Sequence, residues 1–171
     1  HPERIRAMTL ESGADAGFAY DGDADRLVAC DEKGNIVDGD KILCIFAARM
    51  QADGSMRESV AVGTTHTNTG AENFLKKLGI RLIRTDIGDK YVADAMQKSG
   101  AQIGGEQSGH IILSDYAVTG DGILTSVKLA ELVAEKKLSR LADIRMLPQY
   151  NASVRVKDKV RVLGDEYLRG F

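Results

Sequence analysis

The amino-acid sequence predicts an α/β protein whose mixed, mainly parallel sheet is layered with helices, together with part of a second α/β domain. Along its 171 residues, short apolar segments alternate with longer segments of helical periodicity, and the connections between them are short. Polar, glycine-containing loops directly follow two of the apolar segments, at 21–26 and 104–110. In folds of this kind, ligands bind where loops leave the carboxyl ends of strands.

Five helices are predicted, in chain order, from an apolar period near 3.6 residues and from residues that begin or end helices. Pro2 suits the first turn of the first helix, because its missing N–H needs no partner there. The second helix is apolar on most faces, which predicts burial. Gly79 and Gly100 end the third and fourth, and the fifth carries an apolar stripe that begins at Ile123 and Val127. The predicted helices cover residues 2–11, 40–50, 70–78, 88–98 and 121–136.

Strands are predicted for short apolar runs between turn residues. The first two predicted strands flank an acidic loop, and the polar segment 31–35 (DEKGN) after the second predicts a turn. Near the end of the chain, SVRVK alternates polar and apolar residues, as a half-exposed strand does. The predicted strands cover residues 17–20, 27–30, 60–62, 80–84, 101–104, 110–113 and 153–157.

Composition excludes several classes of function. The 25 acidic and 23 basic residues give a formal charge of -2, so no broad basic face for nucleic acid is expected. The longest apolar run, 42–48, is too short to cross a bilayer, and no signal peptide is apparent. Cys30 and Cys44 both lie in apolar segments and are predicted to be core thiols, which favours a cytoplasmic protein without a membrane partner.

The stretch YDGDADRL contains three aspartates at alternate positions, Asp21, Asp23 and Asp25. Alternate side chains of an extended segment point the same way, so a curled loop brings the three carboxylates together, and Gly22 and Ala24 add no bulk to obstruct it. Three carboxylates at close range repel one another unless a cation neutralises them. Oxygen ligands suit a hard cation such as Mg²⁺ or Ca²⁺, so this loop predicts a metal site.

The same loop has other possible interpretations. A solvated acidic turn is common in proteins, but here the triplet directly follows a predicted strand. An EF-hand is excluded, because the sixth position, which requires glycine, is Arg26, and the flanks resemble strands rather than helices. Only a weak likeness to haloacid-dehalogenase-type phosphatases exists. Arg26 either pairs with the aspartates or, with a metal bound, presents its guanidinium to a phosphate.

A second loop, GGEQSGH at 104–110, also follows a predicted strand. Its glycines allow a close approach between backbone and ligand. Glu106 and Ser108 are alternate polar groups able to bind sugar hydroxyls, and His110 can carry a proton at neutral pH. A purely structural role for these side chains, with Glu106 capping an amide, is the alternative.

Together, these motifs resemble the α-D-phosphohexomutase family. YDGDADRL is similar to the metal-binding loop of that family and GGEQSGH to its sugar-specificity loop. VGTTHTNTG is similar to the segment that opens its third domain, and IGDKYV resembles the loop that presents a basic residue, here Lys90, to the active site. The resemblance covers essentially the whole chain. Gln107 and the TGDG segment that follows favour the branch that acts on glucosamine phosphates, with phosphomannomutase and phosphoglucomutase activities as the alternatives.

The resemblance implies a four-domain enzyme with one shared cleft. A phosphoserine from the first domain would complete an Mg²⁺ site with Asp21, Asp23 and Asp25, and would phosphorylate the sugar to a 1,6-bisphosphate. Arg26 would stabilise the transferring phosphoryl group, Glu106 and Ser108 would hold sugar hydroxyls, and the catalytic candidates for proton transfer and phosphate contacts would be Lys90 and His110. The implied reaction interconverts glucosamine 6-phosphate and glucosamine 1-phosphate, on the route to cell-wall precursors.

The departures from the family pattern concern the ends of the chain. It begins with His1 rather than methionine, and it contains neither a Ser-His-Asn-Pro-like phosphoserine loop nor an Arg-x-Ser-Gly-Thr-like phosphate loop. We therefore expect residues 1–37 to be the end of domain 2, 38–147 to be domain 3, and 148–171 to begin domain 4. The expected partners are a phosphosugar, the missing domains 1 and 4, and a second copy in a homodimer. A non-catalytic fragment that binds metal and sugar phosphate is the alternative of another class.

Overall fold

The computed structural model describes residues 2–150, 155–157 and 162, and all structural statements below concern these residues. Helices and strands alternate along most of the chain, as predicted. In chain order, the elements are α1 (Pro2–Ser12), β1 (Ala16–Tyr20), β2 (Leu27–Asp31), β3 (Ile36–Val37), α2 (Gly39–Ala52), β4 (Val60–Thr64), α3 (Thr69–Lys77), β5 (Arg81–Thr85), α4 (Asp89–Ser99), β6 (Ile103–Gly105), β7 (Ile111–Leu113), α5 (Gly122–Glu135) and α6 (Leu138–Leu141).

The first sheet is antiparallel and has the order β1-β2-β3. The predicted turn after β2 is present, because the carboxylate of Asp31 accepts hydrogen bonds from the backbone N–H groups of Lys33 (2.9 Å) and Asn35 (2.8 Å). Helix α1 packs on β1 and β2. At the opposite end of this hairpin, the acidic loop connects β1 to β2.

The second sheet has the order β5-β4-β6-β7. Strand β4 is parallel to both β5 and β6, whereas β6 and β7 are antiparallel, so the sheet is mixed and mainly parallel, as predicted. Alternate side chains of β4 pack in two separate hydrophobic cores. Val60 and Val62 pack with Val92 and Met96 of α4, whereas Ala61 belongs to the larger core formed with α2, α3 and α5.

Helix α5 joins the two sheets. It contacts β1 and β2 of the first sheet and β7 of the second, and Leu129 and Leu132 are buried on its inner side. The hydroxyl of Tyr20, at the end of β1, donates a 2.6 Å hydrogen bond to Ser126 of the helix. Because α5 begins beside the acidic loop, this packing also sets where that loop lies.

Cys30 and Cys44 are free and buried, which confirms the prediction of core thiols. Burial is the main cause that raises the pKa of both thiols, strongly so for Cys44. Helix α2, predicted to be buried, contributes six of the apolar core residues, which run without a break from Ile42 to Ala47.

Some features differ from the prediction. The apolar stripe predicted on α5 is not its buried face, because Ile123 and Val127 are more than half exposed while Leu129 is fully buried. Strand β3 and helix α6 were not predicted, since both are too short to show periodicity. The strand predicted over 153–157 lies partly outside the described residues. In the part of the chain that the structure describes, no helix has the length and apolar character needed to cross a membrane.

Candidate active site

The loop between β1 and β2 brings its three aspartates together. One carboxylate oxygen from each of Asp21, Asp23 and Asp25 lies within 4.8 Å of the others. The loop curls because Ala24 adopts a left-handed backbone conformation, with φ of 60°, and its N–H points at the carbonyl of Asp21 (3.4 Å). Left-handed backbone is uncommon outside glycine, so this turn stores strain at the point where the three carboxylates converge.

The electrostatics of this metal loop (21–26) suit a cation. Burial raises the pKa of Asp25, and the negative charges of Asp23 and Asp21 raise it further. One oxygen of Asp25 is buried and has no hydrogen-bond partner within the described residues. Partial burial, like-charged neighbours and an oxygen without a hydrogen-bond donor are together the arrangement that a hard cation neutralises, so the residues present fit Mg²⁺.

Arg26 supplies part of the compensating charge. Its Nε lies 3.6 Å from Asp21 and 3.8 Å from Asp25, and 52% of its side chain is exposed. These distances are those of a loose ion pair rather than a fixed bidentate one. The guanidinium therefore lies at the edge of the metal loop with N–H groups accessible to a ligand.

The GGEQSGH segment forms a tight connection between β6 and β7. The N–H of Glu106 donates to the carbonyl of His110, and the N–H of Gly109 donates to the carbonyl of Glu106, both over 3.0 Å. Ser108 is exposed at the tip of this sugar loop (106–110). One carboxylate oxygen of Glu106 accepts a 2.9 Å hydrogen bond from the N–H of Gly88, which precedes α4.

The metal loop and the sugar loop lie side by side. The N–H of Leu27 donates to the carbonyl of Gly109 over 3.0 Å, and Arg26 and His110 form an antiparallel β-bridge. Gly109 allows this approach, because a Cβ atom there would lie 2.2 Å from the carbonyl oxygen of Leu27. Glu106 and Ser108 thus follow a strand of the second sheet, in a loop that contacts the aspartate loop through Gly109 and His110.

His110 is buried between the two loops and the turn before α5. Its Nε2 accepts a 2.9 Å hydrogen bond from the N–H of Gly120, which leaves the ring proton on Nδ1, and Nδ1 lies 3.4 Å from a carboxylate oxygen of Asp25. With 4% of the residue exposed, its ring contacts the metal loop directly. Proton transfer by His110 stays a prediction, and it requires one of these two contacts to open.

Lys90 lies in the first turn of α4 and is exposed. The hydrogen bond from Gly88 to Glu106 joins the beginning of α4, which carries Lys90, to the sugar loop. Seven of the eight predicted site residues therefore lie on the metal loop and the sugar loop, and the eighth, Lys90, lies at the beginning of α4. Sequence reasoning did not predict the contacts of Gly120 and Gly122 with these loops, although the glycine density of TGDG was a signal for close backbone approach.

Comparisons with known proteins show which family the chain belongs to. Residues 38–149 match the family described as "Phosphoglucomutase/phosphomannomutase, alpha/beta/alpha domain III". Over 99% of its length, the chain is 47% identical to "Phosphoglucosamine mutase" of Tropheryma whipplei (strain Twist). It is 44% identical, again over 99% of its length, to the protein of the same name from Bacillus subtilis (strain 168). In both cases the chain spans 38% of the relative's length.

Solved structures show the same fold. A phosphoglucomutase/phosphomannomutase family protein from Burkholderia thailandensis superposes with a TM-score of 0.74 and 26% identity, over 84% of this chain and 32% of that one. An N-acetylphosphoglucosamine mutase from Aspergillus fumigatus superposes with a TM-score of 0.60 over 86% of this chain and 37% of that one; at 18% identity it shows the fold alone. The chain belongs to the phosphoglucomutase/phosphomannomutase family, the α-D-phosphohexomutases.

Proposed function

We propose that the chain is part of a phosphoglucosamine mutase, an enzyme that interconverts glucosamine 6-phosphate and glucosamine 1-phosphate. The observation that carries the proposal is the contact between an aspartate loop fitted to a cation and a polar loop fitted to a sugar, joined between Leu27 and Gly109. The names of the relatives that match 99% of the chain support the choice of sugar. Gln107, between the two polar residues of the sugar loop, is the sequence feature that favoured the same choice.

Asp21, Asp23 and Asp25 would hold Mg²⁺, together with a phosphoserine supplied by the first domain of the complete enzyme. When bound, the metal supplies positive charge that stabilises a transferring phosphoryl group. Arg26, exposed at the edge of the metal loop, would add N–H donors to the same phosphate oxygens. The phosphoserine would phosphorylate the sugar to a 1,6-bisphosphate, which reorients and returns its other phosphate to the serine.

The sugar loop would orient the hexose during both steps. One oxygen of Glu106 accepts from Gly88, so the carboxylate is held at a set angle while its second oxygen can accept from a sugar hydroxyl. Ser108, exposed at the loop tip, can both donate and accept. His110, in contact with Asp25, and Lys90, exposed in the first turn of α4, are the proposed groups for proton transfer and phosphate contacts.

The remaining parts of the proposal concern the complete enzyme. We divide the chain into the end of domain 2 (1–37), domain 3 (38–147) and the beginning of domain 4 (148–171). Domains 1 and 4 would close the cleft over the phosphosugar, and the complete enzyme would form a homodimer. The proposed location is the cytoplasm, where the product would enter the synthesis of UDP-N-acetylglucosamine and peptidoglycan precursors.

The test compares substrates in the complete enzyme that contains this chain. With a bisphosphate primer and Mg²⁺, kcat/KM for glucosamine 6-phosphate should exceed the values for glucose and mannose phosphates. A clear preference for glucose or mannose phosphates would overturn the choice of sugar. The isolated 171-residue chain, which lacks a phosphoserine motif, should show no conversion.

The metal site is tested separately by Asp23→Asn, which removes one charged ligand. In the complete enzyme we expect turnover to fall by at least two orders of magnitude, with Mg²⁺ binding weakened in calorimetry. Asp15→Asn is the matched control, because Asp15 is exposed and lies outside the metal loop, and it should change neither quantity. Full turnover in Asp23→Asn would remove Asp21, Asp23 and Asp25 as the metal site.

A further inference from the structure

We propose that Gly122, the first residue of α5, is a positioning residue that holds the metal loop in its ligand-ready shape. The inference rests on the proposed metal site and adds a residue from outside the loop. Gly122 is buried, and its N–H donates a 2.9 Å hydrogen bond to the carbonyl of Ala24. Ala24 is the residue whose left-handed backbone makes the loop curl.

The space around Gly122 also leaves no room for a side chain. A Cβ atom there would lie 2.7 Å from the carbonyl oxygen of Arg26 and 2.8 Å from that of Ala24. Both obstacles are backbone atoms, which cannot swing away as a flexible side chain would. These two carbonyls belong to the residues on either side of Asp25. Because both pack against Gly122, this glycine determines where the backbone of Asp25 lies.

The intrinsic helix propensity at position 122 favours alanine over glycine, in contrast to the space around it. Gly122 is not among the residues with positive φ, and it begins a helix capped by the side chain of Asp121, which accepts a 2.9 Å hydrogen bond from Leu124. Alanine at this position would therefore favour α5 by itself. The three atoms nearest to such a methyl group all belong to the metal loop, so Gly122→Ala separates the stability of the helix from the geometry of the loop.

A chain of contacts then joins α5 to the aspartates. The side chain of Asp121 caps the helix, the adjoining N–H of Gly122 holds Ala24, and the left-handed turn at Ala24 lets Asp23 and Asp25 face the same point. Residues that orient metal ligands from outside the coordination shell change metal affinity about 10- to 100-fold when they are altered. We therefore expect Gly122→Ala to weaken Mg²⁺ binding about tenfold or more.

The experiment titrates MgCl₂ into the complete enzyme and into its variants by calorimetry, with circular dichroism to verify folding. Gly54→Ala is the matched control, because Gly54 has φ of 75° in open space between α2 and β4, so alanine strains the backbone far from the metal loop. We expect Gly122→Ala to bind about tenfold more weakly and Gly54→Ala to bind as the unmodified enzyme does. Equal affinity in Gly122→Ala, or equal weakening in Gly54→Ala, would overturn the proposal.

Two further measurements keep the outcomes distinct. If the unmodified enzyme binds no Mg²⁺ at millimolar concentrations, the metal site itself fails, and the proposal for Gly122 fails with it. If Gly122→Ala does not fold, Ala24→Val decides, because a β-branched residue disfavours the left-handed turn that Gly122 holds. Unchanged Mg²⁺ affinity in a folded Ala24→Val variant would overturn the proposal, whereas a tenfold loss would support it.

Discussion

Asp40 makes the stability of this protein depend on pH. It lies in the first turn of α2 and is fully buried; one oxygen accepts a 2.8 Å hydrogen bond from the N–H of Asn68, and the other has no partner within the described residues. The pKa of Asp40 is raised from 3.8 to about 6. Burial is the largest cause and the negative charge of Asp38 adds to it, whereas the Asn68 hydrogen bond and the charge of Arg84 act in the opposite direction.

The direction and the size of the pH effect on the free energy of unfolding follow from the difference in proton binding between the folded and unfolded chain. The folded chain keeps a proton on Asp40 up to a pH near 6, whereas the unfolded chain loses it near 3.8. Between these values the folded state binds more protons, so the free energy of unfolding falls as pH rises, and above them it levels off. A pKa difference of this size corresponds to a loss of about 3 kcal/mol between pH 3.5 and pH 7.

The perturbation is Asp40→Asn, which keeps an oxygen for the N–H of Asn68 and removes the titrating proton. We expect urea unfolding, followed by circular dichroism from pH 3.5 to pH 7, to show a free-energy difference between variant and unmodified chain that changes by about 3 kcal/mol in favour of the variant. Asp143→Asn, at an exposed position, is the matched control and should leave the profile unchanged. A constant difference for Asp40→Asn across this pH range would refute the reasoning.

Three further predictions concern the core, the sugar loop and the thiols. Leu129→Ala should lower the free energy of unfolding by about 2 to 5 kcal/mol in urea titrations, because Leu129 is fully buried, and Val127→Ala on the exposed face should cost far less. Glu106→Ala in the complete enzyme should lower kcat/KM by about one to two orders of magnitude through loss of a charged acceptor, with the Mg²⁺ requirement unchanged; full efficiency would contradict the sugar-loop role. Cys30 and Cys44 should resist iodoacetamide in the folded chain and react in urea, as mass spectrometry would show, because burial raises the pKa of both thiols; rapid labelling of the folded chain would contradict this.

Local sequence patterns were sufficient to predict most elements. The burial of helix α2 was predicted because its apolar residues cover most faces. The turn at DEKGN was predicted because the side chain of Asp31 can accept hydrogen bonds from nearby backbone N–H groups. The aspartate spacing likewise predicted that Asp21, Asp23 and Asp25 converge, since alternate side chains and small spacers are local properties of the loop.

The inner face of α5 could not be predicted in this way. A helix that packs against two sheets buries polar and small residues such as Thr125 and Ser126 where neighbouring strands come close, and the stripe that begins at Ile123 faces outward. Hydrophobic periodicity indicates a helix, but which side is covered depends on the elements that pack on it.

What the sequence alone determined is the chemistry of the two loops and the order of the elements around them, because both depend on residue types and short spacings. Only the tertiary structure decided that the loops adjoin, through the bond between Leu27 and Gly109, and that Gly122 supports the left-handed turn at Ala24. These contacts join residues from about 80 to almost 100 positions apart in the sequence. They are made by backbone atoms, and every non-proline residue carries the same backbone donor and acceptor, so glycines such as those of TGDG indicate a close approach but not which segments meet there.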